Sequence, residues 1–120
     1  MSGKQTYIIA ASALIIMLVI VIANALYIKS TADHILSLID VSYSDTNTLL
    51  TISEYWNGCL PLLRLSLSQK ELDDISVIIN EAIIYAERSD MKEYKRSMAH
   101  LRRAIESIKK REEVSLENIF

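Results

Sequence analysis

Cysteine, proline, glycine and phenylalanine are nearly missing from this chain of 120 residues, which holds one Cys, one Pro, two Gly and one Phe. The lone Cys59 excludes an intramolecular disulfide and any site assembled from several thiolates. So little Gly and Pro leaves no punctuation for a turn-rich β architecture. The abundant Leu, Ile, Ala, Glu and Lys favour helix, and the fold class is read as all-α. Signatures of chemistry are missing as well. There is no glycine-rich phosphate loop, no Gly-x-Ser-x-Gly elbow and no His-Glu-x-x-His pattern. His34 and His100 have no His, Cys or carboxylate at the i+3 or i+4 spacing of a helical metal site. Glu71, Asp73 and Asp74 stand where carboxylates complement the positive end of a helix dipole. The sequence therefore assigns no catalytic, cofactor-binding or metal-ligating residue, and an enzyme is not expected.

The most informative absence is charge. Between Lys4 and Lys29 lie 24 uncharged residues, twelve of them Leu, Ile or Val. Each of these favours bilayer insertion by about 0.3–0.6 kcal/mol at mid-membrane. Tyr7 and Tyr27 bracket the run and, at about 1.5 Å rise per residue, stand roughly 30 Å apart, the separation of the two membrane interfaces that amphipathic rings prefer. These two residues are read as membrane-interface anchors. The expected organisation is a short tail over 1–6, a transmembrane helix over 7–28 and a helical soluble domain over 30–120, with the lipid bilayer as the first partner. Lys4 and Lys29 nearly balance, and a tail this short placed inside sets the domain outside the cytoplasm. The competing reading is a cleaved signal peptide ending near residue 25, because Ala23-Asn24-Ala25 has the small-x-small form of a processing site. The apolar run continues past that site through Leu26, Tyr27 and Ile28, which favours a retained anchor over a secreted protein.

No Gly or Pro interrupts residues 4–57, so the first helix is expected to run on as a stalk through Val41, carrying an apolar stripe of Ile35, Leu38 and Ile39. The polar cluster Ser42 to Asn47 is the expected break. Beyond it Leu49, Ile52, Trp56, Cys59 and Leu63 recur at 3-4-3-4 spacing, one buried helical face on which Trp56 is a core anchor. Gly58 and Pro61 weaken the end of that helix. Ser68-Gln69-Lys70-Glu71 fits a capping box opening a helix with Leu72, Ile75, Ile79, Ala82 and Ala86 inward. Ser89-Asp90, with Glu93, opens the last helix, whose stripe is Met91, Tyr94, Met98, Leu101, Ile105 and Ile108. Three such segments predict an antiparallel three-helix bundle behind the stalk, closed by a docked tail over Val114 to Phe120.

Charge is split along the chain: residues 30–87 carry nine acids and two bases, whereas 88–113 carry nine bases and five acids. The halves should attract. Glu93 and Glu106 dilute the basic run, which is read as a solvated face with intramolecular pairing and no nucleic-acid partner. Tyr43 and Tyr55 fall off the apolar stripe and are the candidate surface for a partner protein.

The hydrophobic first helix, central Trp56, Leu72-Asp73-Asp74-Ile75, the basic helix around Leu101 and the ending Ser115-Leu116-Glu117-Asn118-Ile119-Phe120 together resemble the small membrane proteins of domain-of-unknown-function family 4363, found in spore-forming Gram-positive bacteria. The resemblance spans nearly the whole chain and implies a bacterial membrane setting without an established activity. A histidine often seen before the acidic helix start is replaced here by Ser68 and Gln69, so no role for it carries over. The reading that follows is a non-enzymatic, membrane-tethered interaction module whose partner is another membrane or envelope protein. The alternative is an extracytoplasmic bundle that senses a small ligand in a cavity between helices.

Overall fold

The computed structural model describes residues 3–41 and 46–119, and all regular structure among them is helical. Helix α1 spans Gly3–Val41, α2 Thr46–Leu63, α3 Gln69–Glu87 and α4 Met91–Ile119. Helix α1 packs on α2 and α4, and α3 packs on the same two, so the four close into a ring. Ion pairs fix the direction of the α1/α4 seam: Lys29 meets Glu113, Asp33 meets Lys109 and Asp40 meets Arg102. Every step up α1 is matched by an equal step down α4, which is an antiparallel register. Glu71 near the start of α3 likewise meets Arg111 near the end of α4.

The expectation of a three-helix bundle behind a free stalk is corrected here. Residues 25–39 of α1 form a fourth wall of the core, with Ala25, Ile28, Ala32, Ile35 and Ile39 all buried. Their 3-4-3-4 spacing is a helix-packing stripe, hidden in the sequence by the apolar run that precedes it. At about 1.5–3 kcal/mol for each fully buried isoleucine, Ile28, Ile35 and Ile39 contribute too much for this segment to be a spacer. The predicted stripes of α2, α3 and α4 complete the core: Leu49, Ile52, Trp56, Cys59 and Leu63; Leu72, Ile75, Ile79 and Ala82; Tyr94, Met98, Leu101, Ile105 and Ile108. Ala86 packs against that core half-buried, and Met91 stands exposed at the helix start.

Polar detail at the helix ends follows from unsatisfied backbone groups. Ser68 Oγ accepts from the Glu71 amide at 3.2 Å, as the capping box requires. Asp90 Oδ1 accepts from the Glu93 amide at 3.3 Å and caps α4. Ser89 has another role: its φ of 56° is left-handed, and the amides of Ser89 and Asp90 donate to the carbonyls of Ala86 and Tyr85. That is a Schellman closure of α3, with serine where glycine is usual. Pro61 falls inside α2, two residues before its end at Leu63. Trp56 donates from Nε1 to Ser76 Oγ at 2.9 Å, tying α2 to α3 while its ring is buried.

Candidate functional site

Among the described residues, the apolar stretch 8–21 of α1 is almost wholly exposed. Ile8, Ile9, Leu14, Ile15, Ile16, Leu18, Val19, Ile20 and Val21 all stand exposed, and burial begins only at Ala25. This helix is long and apolar enough to cross a membrane. In water an unpartnered surface of this kind is unfavourable at about 25 cal/mol per Å². Tyr7 is exposed at its free end, 76% accessible. Tyr27 lies at the other end but is half-buried against the core, so the bundle starts before the expected span of 7–28 is over. The processing-like segment Ala23-Asn24-Ala25 is helical, with Ala25 buried and Asn24 Nδ2 donating to Ser66 Oγ in the α2–α3 turn.

Of the two tyrosines expected to form a partner surface, Tyr43 lies outside the described residues. Tyr55 is half-buried against the core, with its ring centroid 4.2 Å from that of His34 on α1. Burial raises the Tyr55 pKa, and neighbouring Cys59 adds to the shift, so its hydroxyl stays neutral. Tyr55 therefore braces α2 against α1 and offers only part of its surface outward. Cys59 is buried on the same seam.

The basic residues of α4 divide into two sets. Arg102, Lys109 and Arg111 pair across helices with Asp40, Asp33 and Glu71, and Arg96 pairs with Glu93 on its own helix at 3.4 Å. These three cross-helix pairs join the acidic first part of the chain to the basic later part, as the charge split predicts, while Lys29–Glu113 pairs in the opposite sense. Lys109 Nζ is 2.6 Å from Asp33, and that hydrogen bond raises the lysine pKa. Arg111 Nη1 donates to Glu71 at 2.5 Å and holds the carboxyl below its ordinary range, helped by the Ser68 backbone and hydroxyl. Sequence reasoning missed this ladder because its signal is a register between distant segments rather than a local motif. Lys92, Lys95, Arg103 and Lys110 remain on the exposed face.

Inside the bundle, a gap of about 10 Å³ is lined by Ile28, Thr31, Ala32, Ile35, Trp56, Leu63, Leu67, Ile105 and Ile108. It is the size of one water at most, and Thr31, its hydroxyl on the Tyr27 carbonyl at 2.9 Å, supplies almost the only polarity. A ligand of the size a sensor recognises does not fit there. Larger spaces are surface grooves, including one of about 270 Å³ bounded by Asp74, Val77, Ile78, Glu81 and His100. Among the described residues no three His, Cys, Asp or Glu side chains are grouped to hold a metal ion.

A domain of unknown function, DUF4363, matches residues 21–119. The chain belongs to this family. The matched region begins four residues before the first buried side chain of α1 and runs to the end of α4, so the family's domain takes in the whole bundle, including its α1 wall. No curated protein and no solved structure matches the chain.

Proposed function

We propose that this DUF4363 protein is a non-enzymatic, single-pass membrane protein whose helical bundle is held at the bilayer surface as an interaction module. One observation carries the reading: the apolar half of α1 stands free of a bundle that buries its other apolar stripes. Nine exposed Ile, Leu and Val residues between Ile8 and Val21 favour insertion by about 3–5 kcal/mol in total at 0.3–0.6 kcal/mol each. Exposed Tyr7 suits the interface at one end of the span, and the half-buried Tyr27 lies at the bundle end. In this reading the tail over 1–6 lies in the cytoplasm and the bundle outside it. The protein partner in this reading is another membrane or envelope protein.

The test combines three measurements on the full chain expressed in bacteria. Alkaline extraction is expected to leave it in the membrane fraction. Intact mass is expected to retain residues 1–25, and a reporter fused after Phe120 is expected to be active only outside the cytoplasm. Full-length protein in the aqueous fraction would remove the membrane reading, a mass lacking residues 1–25 would make this a secreted bundle, and a cytoplasmic reporter would invert the topology.

A further inference from the structure

We infer that the base of the bundle is itself a lipid-contacting surface, a collar seated at the boundary between acyl chains and headgroups. The inference rests on the membrane reading above and goes beyond it by assigning lipid contact to the end of α2, the α2–α3 turn and the end of α4 as well as α1.

Length gives the first argument. Of α1, Tyr7 to Ala23 is free of the bundle, apart from half-buried Ala11 and Ile22. At about 1.5 Å per residue, that stretch covers roughly 25 Å, short of a hydrocarbon core of about 30 Å. The deficit is about one helical turn. Lys4 limits how far the helix can slide the other way, so the level of Asn24 to Ile28 has to enter the boundary region.

The same level on the other helices can be read from fixed contacts. Asn24 holds Ser66, which puts the α2–α3 turn there. Lys29 meets Glu113, and the antiparallel register carries residues 114–119 of α4 further towards the free half of α1. The side chains presented at this level are apolar where water contact would be costly. Leu65, on the turn, is 77% exposed, more than any other large apolar side chain among the described residues. Leu26 and Leu62 are each 52% exposed, and Val114 is 48% exposed. Between Leu62 and Leu65 stands exposed Arg64, with no ion pair among the described residues, on a stem long enough to reach lipid phosphate from a partly submerged turn. Ser115, Glu117 and Asn118 alternate with the apolar residues at the end of α4, a mixture suited to the headgroup boundary and unsuited to the hydrocarbon interior. Other exposed apolar side chains, Leu50, Val77, Ile84 and Met91, lie on the bundle away from this end and share no level with the span.

The test uses the full chain with Cys59→Ser, carrying one cysteine at a time as Leu14→Cys, Leu65→Cys or Ile84→Cys, each labelled with an environment-sensitive fluorophore. The proteins are reconstituted into phosphatidylcholine/phosphatidylglycerol vesicles containing nitroxide lipids labelled at shallow or deep positions. All three sites are exposed, so labelling does not disturb the core. Leu14 is expected to be quenched most by the deep nitroxide. Leu65 should be quenched several-fold more than Ile84 and preferentially by the shallow one, with a blue-shifted emission. If Leu14 is quenched while Leu65 matches Ile84, the collar is refuted and the span stands. If Leu14 is not quenched, both readings fall.

Discussion

Removing residues 1–41 distinguishes a three-helix bundle with a stalk from the four-helix ring. The deletion takes away Ile28, Ile35 and Ile39, exposed by 1%, 0% and 0%, together with Ala25 and Ala32, each 3%. At about 1.5–3 kcal/mol per fully buried isoleucine, the loss is roughly 5–9 kcal/mol before counting the faces of α2 and α4 that α1 covers. Domains of this size have about 5–15 kcal/mol in hand, so a 42–120 fragment should lack a cooperative transition. Removing only residues 1–23 leaves every buried side chain in place and retains the bond from Asn24 to Ser66. The 24–120 fragment should therefore melt cooperatively. Far-UV circular dichroism during heating compares the two, with dye binding to report exposed apolar surface. A 42–120 fragment that melts sharply within a few degrees of 24–120 would refute the reasoning, since each kcal/mol is worth about 4–8 °C at this size.

Three further outcomes follow from single contacts. Ser76→Ala should cost about 1–3 kcal/mol by leaving the buried Trp56 Nε1–H without its acceptor, and a Trp56→Phe/Ser76→Ala double variant should cost less than the sum of the singles in a denaturation cycle. Ser89→Gly should stabilise by about 0.5–1 kcal/mol, read as a raised melting temperature, because glycine holds a φ of 56° without the side-chain penalty. The Glu71 pKa is lowered in the folded chain, so its pairing with Arg111 supports the fold above the unfolded carboxylate value of about 4.3 and is lost as pH falls through the folded value. Glu71 is about a third exposed, which limits the effect to about 0.5 kcal/mol; Glu71→Gln should flatten that part of the pH–stability profile between neutral and acidic buffer.

Much of the bundle was legible because α2, α3 and α4 write their buried faces at 3-4 spacing and their starts as Ser68/Glu71 and Asp90/Glu93. The role of Trp56 was legible for the same reason. The wall formed by α1 was legible only in part: the stripe of Ile35 and Ile39 shows in the spacing, but its start at Ala25 and Ile28 lies in a run that is apolar on every side, where periodicity cannot separate a core face from a lipid face. Ser89 reads locally as a helix start, and only the backbone angle shows that it ends the preceding helix. Tyr55 reads as a surface residue because it is off the stripe, yet His34 from α1 covers part of its ring. The α1–α4 ladder and the base of the bundle depend on which residues share a height across helices, a relation that sequence spacing does not encode.

Because α1 runs unbroken from Gly3 to Val41, its free half and its packed half are one rod with no joint between them. A lean imposed on the first half must be copied by the whole head. For a head about 25 Å tall, matching residues 25–41 at 1.5 Å each, a lean of about 20° sweeps its far end sideways by roughly 9 Å. Bilayer thickness, or a neighbour pressing on the free half, would thereby set the direction in which the outer faces of α3 and α4 point.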